Sequence, residues 1–325
     1  MPVRWRTWQL AMTEALYAPG GFYRGTSVPA AHFRTSAHIG AAFADALLAL
    51  AGRVDALLDR PTTFDVCDLG GGGGELLTAM LERAPTVAPR LAGRLRLLGV
   101  DVADRPPTLD PSIEWLPELP AVTGLLIANE WLDNVPLDVA VIEPDGPRLL
   151  QVNDDGDERP GALAVGRDVG WLDRWAPRNA ERVEIGVTRD AAWARAVRSV
   201  ERGAAVAIDY AGDTSATLTG FRDGREVAPR PDGSCDLTAH VFFPSVAAAG
   251  DGPVVLSQRE ALLALGLHIR RPPEELAAAD PKAYVAALAG LSRQAVLVDP
   301  DGLGAFRWLI QSVGISHPLG AEDLL

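Results

Sequence analysis

The chain has 325 residues, of which 48% are hydrophobic and 22% are charged, as is usual for a soluble globular protein. Its formal net charge of −13 argues against a nucleic-acid partner, because nucleic acids bind basic surfaces. Two cysteines far apart in sequence and five histidines without metal-ligand spacing predict neither a disulfide framework nor a metal site.

The amino-terminal region, residues 1–60, predicts helices rather than a targeting segment. Residues 5–17 form a short amphipathic stretch that ends before Pro19-Gly20-Gly21. A long helix is expected over residues 37–58, because its apolar residues recur every three or four positions. Since nothing resembles a signal peptide or a membrane span, we expect a cytoplasmic protein with no membrane partner.

A run of five glycines is the most informative feature of the chain. It follows an apolar strand that ends in Asp68, and a helix is predicted from Glu75 onward. Because glycine lacks a Cβ, this turn can adopt positive φ, and the helix N-terminus behind it can turn free N–H groups toward a ligand. The dinucleotide fingerprint would need its third glycine at position 75, and the Gly-Lys-Ser/Thr of a P-loop is absent. The spacing acid-x-Gly-x-Gly-x-Gly at Asp68, Gly70, Gly72 and Gly74 resembles motif I of class I S-adenosylmethionine (SAM) methyltransferases, whose acid faces the amino-acid end of SAM.

Strands and helices alternate from residue 64, which predicts βαβ units and a parallel sheet. Further strands are predicted at residues 95–101, 113–116, 124–128 and 204–209. Asp101 ends the second strand, where it can accept bonds from both ribose hydroxyls of a nucleotide or cap a helix. Trp115, near the end of the third strand, either stacks on adenine or packs in the core.

Two segments interrupt the alternation. Residues 139–152 read as a β-hairpin, residues 153–180 as an irregular connection, and residues 212–234 as a polar loop followed by helices and a late hairpin. The predicted fold class is therefore α/β: a Rossmann-like, class I methyltransferase doubly wound sheet with an added helical and β-hairpin cap. We assign residues 1–60 to an N-terminal helical cap segment, 61–136 and 181–325 to the SAM-binding domain, and 137–180 to an inserted hairpin cap.

Three polar residues follow the fourth strand: Asn129, Glu130 and Asp133. Methyl transfer needs a nucleophile in line with an electrophilic methyl group, so the protein mainly supplies positioning and electrostatics. If the nucleophile is a nitrogen, acceptors at this edge of the sheet can orient it and take up its proton. We therefore predict these three as catalytic residues.

Four blocks in this order resemble the MidA-type family of SAM-dependent methyltransferases. They are Ala15-Leu16-Tyr17-Ala18-Pro19-Gly20-Gly21-Phe22-Tyr23 with Phe33-Arg34-Thr35-Ser36, the motif I turn, Ala128-Asn129-Glu130 with Asp133 and Pro136, and Ile208-Asp209-Tyr210 with Thr217-Leu218-Thr219-Gly220-Phe221 and Asp236-Leu237-Thr238-Ala239-His240-Val241. The family includes a mitochondrial complex I assembly factor that methylates an arginine of a partner protein. The resemblance implies SAM as cofactor, Asn129 and Glu130 with Asp133 beside the methyl acceptor, and Tyr23, Thr35 and Ser36 near the substrate.

Two residues of the last block have alternative readings. Asp209 either lines the acceptor pocket or caps the next turn, and His240 either lies near the site or is structural. Departures from the family leave the acceptor open: Thr35-Ser36-Ala37-His38 lacks a family acid, and Asp209-Tyr210-Ala211 replaces Asp-Tyr-Gly.

Three functions follow from these observations. The first is SAM-dependent methyl transfer to nitrogen, with a protein arginine side chain as first choice. The second is an assembly or binding protein that has lost catalysis, and the third is a small-molecule N- or O-methyltransferase. A small molecule would need an enclosed apolar pocket, whereas a protein substrate would need an open acidic groove. The sequence does not indicate an oligomeric state.

Overall fold

The computed structural model describes residues 3–24, 41–250 and 252–320. The helices are α1 (Trp8–Tyr17), α2 (Ala41–Leu57), α3 (Glu75–Val87), α4 (Pro89–Ala92), α5 (Arg167–Trp175), α6 (Val187–Ser199), α7 (Phe243–Ala247), α8 (Gln258–Ala264), α9 (Glu274–Ala279) and α10 (Pro281–Leu297). The strands are β1 (Arg6–Thr7), β2 (Phe64–Leu69), β3 (Leu95–Val100), β4 (Glu114–Leu116), β5 (Val122–Asn129), β6 (Asp138–Glu143), β7 (Gly146–Val152), β8 (Glu158–Leu163), β9 (Arg182–Ile185), β10 (Val200–Asp209), β11 (Thr219–Arg222), β12 (Arg225–Val227), β13 (Asp236–Thr238), β14 (Val254–Ser257) and β15 (Arg307–Val313).

The central sheet has the strand order β14-β15-β10-β5-β2-β3-β4. Neighbouring strands from β10 to β4 are parallel, and β15 is antiparallel to both of its neighbours. Helices cover both faces. Leu125 and Ile127 of β5 join the cluster that contains α2 and α3, whereas Leu126 and Ala128 join the cluster that contains α6 and α7. This period of two buries the strand on both faces, and the predicted doubly wound α/β fold is confirmed.

The strand order places the carboxyl ends of β2, β3, β5 and β10 along one edge. The chain order reverses between β2 and β5, where Asp68 pairs with Ile127. Ile208 of β10 pairs with Asn129, the last residue of β5. Ligands of open parallel sheets bind at such a reversal, outside the carboxyl ends of the strands.

A second sheet joins the amino-terminal chain to the predicted hairpin. Its order is β1-β7-β6-β9, and β8 also pairs with β7. All of its pairings are antiparallel. Helix α1 packs on it through Trp8, Met12 and Leu16. The helix begins at Trp8 rather than at residue 5, because Arg6 and Thr7 pair with β7. The described part of the second predicted helix is α2, and the start predicted at residue 37 lies outside the described residues.

Two predicted irregular segments contain regular structure. Residues 153–180 include β8 and α5; β8 is mostly exposed and holds Pro160 and Gly161, which an edge strand tolerates. Residues 212–234 include the hairpin of β11 and β12, whose turn has Asp223 and Gly224 at φ +54° and +71°. An Asp-Gly pair is a strong hairpin signal, so this hairpin was predictable.

The carboxyl-terminal part completes the central sheet. Strands β14 and β15 are antiparallel neighbours, but α8, α9 and α10 lie between them in sequence, so the predicted late hairpin is wrong. No helix within residues 3–24, 41–250 and 252–320 is long and apolar enough to cross a membrane.

Candidate active site

The glycine turn between β2 and α3 has the geometry of a ligand cradle. Gly70, Gly72 and Gly74 have φ values of +80°, +55° and +78°, which strain any residue with a side chain. A Cβ on Gly70 would lie 2.7 Å from Cδ1 of Trp131, and one on Gly74 would lie 2.5 Å from Cδ1 of Leu109. A Cβ on Gly72 would meet nothing closer than a carboxylate oxygen 3.9 Å away, so this part of the turn faces open space.

Three carboxyl groups surround the glycine turn. Asp68 is buried at the end of β2, and burial together with the charges of Asp101 and Glu75 raises its pKa to about 7. Asp101 follows β3; its Oδ2 accepts the N–H of Gly72 at 2.9 Å and its Oδ1 accepts the N–H of Ala103 at 2.8 Å. Burial also raises the pKa of Asp101. Such a site attracts cations and would repel the pyrophosphate of a dinucleotide.

Trp115 lies beneath this turn. A Cβ on Gly99 would be 2.3 Å from Cε3 of its ring, and one on Gly71 would be 3.1 Å from Cη2. The ring Nε1 donates to the carbonyl of Ala103 at 3.1 Å, and the side chain is partly buried against the core. Trp115 therefore packs beside the cradle, and adenine stacking stays a prediction.

The turn after β5 begins with a residue in an unusual conformation. Glu130 has φ +49°, in the left-handed region that side chains other than glycine rarely adopt. Its N–H donates to the carbonyl of Ile208 at 2.8 Å, and its Oε1 accepts Nδ2 of Asn129 at 3.2 Å. Non-glycine residues in this region cost free energy and cluster at functional sites.

Asp209 supports the same turn from the end of β10. Its Oδ2 accepts the N–H groups of Leu132 at 2.9 Å and Asp133 at 3.1 Å, while its Oδ1 accepts the N–H of Tyr210 at 2.8 Å. Burial raises the pKa of Asp209 to about 6. Asp209 therefore bonds to the main chain of the turn after β5 as well as to Tyr210 at the start of the next turn, and its place in an acceptor pocket stays a prediction.

Two buried acceptor atoms lie in this turn. Among the described residues, neither Oδ1 of Asn129 nor Oδ1 of Asp133 has a hydrogen-bond partner. Burial and the charges of Asp209, Asp236 and Glu130 raise the pKa of Asp133 well above its usual range. Because buried polar atoms normally find partners, these two atoms mark a place for a hydrogen-bond donor.

Two tyrosines of the amino-terminal block, Tyr17 and Tyr23, lie next to the turn after β5. The rings of Tyr17 and Tyr23 stack with centroids 5.6 Å apart. The hydroxyl of Tyr23 donates to Oδ1 of Asp236 at 2.9 Å, and that of Tyr17 donates to the carbonyl of Asn134 at 3.1 Å. Burial raises the pKa of both tyrosines, and the charges of Asp236 and Asp133 raise it further. The structure thus brings Tyr23 to Asp236 of β13, which in turn bonds to Asn134 after β5.

The side chain of His240 is exposed, unlike the buried acids. Its exposed ring stacks on Tyr210 with centroids 6.1 Å apart, and Tyr210 in turn contacts Phe306. The main-chain N–H of His240 donates to Oγ1 of Thr217 at 2.8 Å. The other predicted substrate residues, Thr35 and Ser36, lie outside the described residues.

Sequence reasoning assigned no role to two buried charged residues of the site. Asp236 accepts three bonds at Oδ1: from Tyr23, from Nδ2 of Asn134 at 3.0 Å, and from the N–H of Leu237 at 2.8 Å. Arg189 of α6 bonds to the carbonyls of the turn after β5. Nothing in the local sequence distinguishes this arginine from those on exposed helix faces, since its contacts are all long-range.

Comparisons with known proteins support the fold and show the family. The crystal structure of a Burkholderia thailandensis protein bound to S-adenosyl-homocysteine superimposes with a TM-score of 0.80 at 23% sequence identity, covering 97% of this chain and 89% of that one. A native crystal structure of an uncharacterized protein of the same superfamily and organism superimposes with a TM-score of 0.75 at 25% sequence identity, with the same coverage of both chains. No curated protein matches the sequence. Residues 53–256 match the family model described as "Putative S-adenosyl-L-methionine-dependent methyltransferase", and the chain therefore belongs to this family of SAM-dependent methyltransferases.

Proposed function

We propose that the protein transfers the methyl group of SAM to a nitrogen atom, with an arginine side chain of a partner protein as the first choice. The observation that carries this proposal is the pair of buried acceptor atoms, Oδ1 of Asn129 and Oδ1 of Asp133, without partners among the described residues. A guanidinium group presents five N–H donors and no acceptor, so it complements such a pair. The resemblance to the MidA-type family supports the same choice.

The cofactor site proposed for this reaction is the glycine turn. The open backbone at Gly72 leaves room for SAM. Asp101 would accept bonds from its ribose hydroxyls, and Asp68 would face its α-ammonium group. SAM supplies an electrophilic methyl group on a sulfonium sulfur. The Burkholderia thailandensis structure, which holds S-adenosyl-homocysteine, supports this assignment.

The acids after β5 would orient the acceptor and take up its proton. Asp133 suits the second task, because burial and neighbouring carboxyls raise its pKa and so make it a stronger base. Glu130 and Asn129 would hold the nitrogen in line with the methyl group. As the new C–N bond forms and the C–S bond breaks, the nitrogen's proton passes to a carboxylate.

The buried carboxyls also separate this proposal from the other two functions. An apolar small-molecule acceptor would place uncharged surface against Asp133, whose buried Oδ1 has no partner among the described residues, and so would not compensate its burial. An assembly protein without catalysis would capture its partner without SAM, so Glu130→Ala would leave the pull-down yield unchanged.

Isothermal titration with SAM and, separately, with NADH tests the cofactor site first. We expect SAM to bind and NADH not to bind. Gly72→Arg should abolish SAM binding, because the new side chain would fill the cradle. Gly93→Arg is the matched control, since Gly93 has an ordinary φ of −76° and open space around it. Retained SAM binding in Gly72→Arg would refute the site.

A labelled-methyl screen then tests the acceptor. Tritiated SAM and cell lysate are incubated with the wild-type protein or with Asp133→Asn, and the labelled residue is identified by amino-acid analysis. Methylarginine formed only by the wild type is the expected result. Label on an oxygen, or on a small molecule, would overturn the choice of acceptor.

A further inference from the structure

Arg189 is a buried arginine that binds main chain rather than a carboxylate. It lies in α6 and is 2% exposed. Its Nε donates to the carbonyl of Val135 at 3.2 Å, and its Nη1 donates to those of Ala239 at 2.9 Å and His240 at 2.7 Å. Its Nη2 donates to the carbonyl of Asp133 at 2.5 Å. One guanidinium thus fixes four carbonyl groups.

These carbonyls belong to two segments that meet at the acceptor site. Residues 133–135 follow β5 and carry the acid proposed as base, while residues 239–240 follow β13. The two segments share a main-chain bond from the N–H of Ala239 to the carbonyl of Asp133, at 3.1 Å. Arg189 spans the same junction, and its planar group with several donors can hold it in one geometry. A lysine, with a single ammonium group, could not bond to all four carbonyls.

The charge of Arg189 also acts on the acids. It lowers the pKa of Asp133 and of Asp209, against the effect of burial. Burial lowers the pKa of Arg189 itself, while the charges of Asp133, Glu184 and Asp209 raise it. The other titratable groups that interact with Asp133 come from several elements: Asp209, Asp236, Glu130, Tyr17, Tyr23 and Tyr210.

We propose that Arg189 is a positioning residue of the acceptor site. Its four carbonyl bonds set the place of Asp133, and its positive charge favours the ionised form of that carboxyl, which a cationic acceptor would need. The first part stands on the geometry alone, whereas the second rests on the proposed function.

Carboxyl titration tests the proposal without an acceptor. The protein is labelled with ¹³C at its aspartate carboxyls, saturated with S-adenosyl-homocysteine, and titrated by NMR, with Asp133→Asn identifying the signal. In Arg189→Gln the Asp133 midpoint should rise by about 1 pH unit, because a nearby cation has been lost. Arg195→Gln, at an exposed position of the same helix, should leave it unchanged. An unchanged midpoint in Arg189→Gln would overturn the proposal.

Should that variant not fold, Arg189→Met, which fills a similar volume, takes its place with the same expected rise in the Asp133 midpoint.

Titration with agmatine, a small dication that carries a guanidinium and an ammonium group, separates this proposal from the proposed function. Agmatine is titrated into the complex with S-adenosyl-homocysteine at pH 7. Arg189→Lys keeps the charge but not the four bonds, so we expect the Asp133 midpoint to stay and the agmatine affinity to fall about tenfold. Equal agmatine affinity in Arg189→Lys and wild type would contradict a positioning role. If the wild-type protein itself does not bind agmatine, the proposal of a guanidinium group as methyl acceptor is wrong. The carboxyl titration still decides the role of Arg189.

Discussion

At the scale of single residues, backbone strain and unpaired acceptors coincide at one turn. Glu130 holds a left-handed conformation, and Asn129 and Asp133 on either side of it carry the oxygen atoms that lack a partner in the described part of the chain. Neither feature favours folding, because a strained backbone and an unpaired buried acceptor both raise the free energy of the native state. Both features are in line with the acceptor site proposed above, since strained residues cluster at functional sites.

Two substitutions of Glu130 separate its strain from its function. Glycine adopts φ +49° without a Cβ penalty, whereas alanine keeps the penalty, and both remove the carboxylate. Glu130→Gly should be more stable than Glu130→Ala by about 1 kcal/mol in urea unfolding. Both should lose methyl transfer in the labelled-methyl screen. An alanine variant as stable as the glycine variant would show that this conformation carries no strain.

At the scale of elements, the glycine turn has two structural roles. Gly70 lies against Trp131 of the next turn, and Gly74 lies against Leu109, so these glycines allow close packing. Gly72, between them, faces open space and donates its N–H to Asp101. Gly70 and Gly74 thus serve packing, whereas Gly72 borders the open space where we propose that SAM binds.

Alanine at two of these positions should therefore have different effects. Gly70→Ala adds a Cβ 2.7 Å from the Trp131 ring, so both stability and SAM binding should fall. Gly72→Ala meets no close contact, so it should destabilise less and mainly weaken SAM binding. Thermal unfolding and titration calorimetry measure the two quantities. A Gly72→Ala variant that is the less stable of the two would contradict the division of roles.

What the sequence could predict depends on the range of the interactions. Buried strands and the glycine turn are local patterns, and they lie where predicted. Strand β8 was missed because it is an exposed edge strand without alternation. The bonds from Arg189 to main-chain carbonyls were not predictable, because the one to Asp133 joins residues 56 positions apart. The sequence of its helix gives no sign of them. Asp236 was visible as part of a family block, but its bond to Tyr23 spans 213 positions.

At the scale of the whole molecule, the acidic charge is partly internal. Alongside a net charge of −13, the chain buries Asp68, Asp133, Asp209 and Asp236 along the carboxyl edge of the central sheet. Burial raises the pKa of the first three. A carboxyl that holds its proton more tightly in the folded state than in the unfolded state lowers stability as pH rises between the two pKa values. A cationic ligand at this edge offsets that loss, which couples stability to substrate binding.

This coupling predicts how SAM binding depends on pH. The pKa of Asp68 is about 7 in the folded protein and 3.8 in its reference state, so unliganded stability should fall as pH rises from about 4 to 7. SAM, whose α-amino group is positively charged, should bind the ionised form of Asp68 through that group. Between pH 8 and pH 6 its affinity should therefore fall about tenfold, since most Asp68 side chains are protonated at pH 6.

Asp68→Asn is the control for this dependence, because it removes the titrating group and keeps a similar shape. It should bind SAM weakly at pH 8, with little change between pH 6 and pH 8, and the unliganded variant should unfold at a higher temperature than wild type at pH 8. Calorimetric titration and thermal unfolding at both pH values measure these effects. If wild type bound SAM equally well at pH 6 and 8, Asp68 would not be the group that meets the cofactor's charge, and the acids after β5 would be the next candidates.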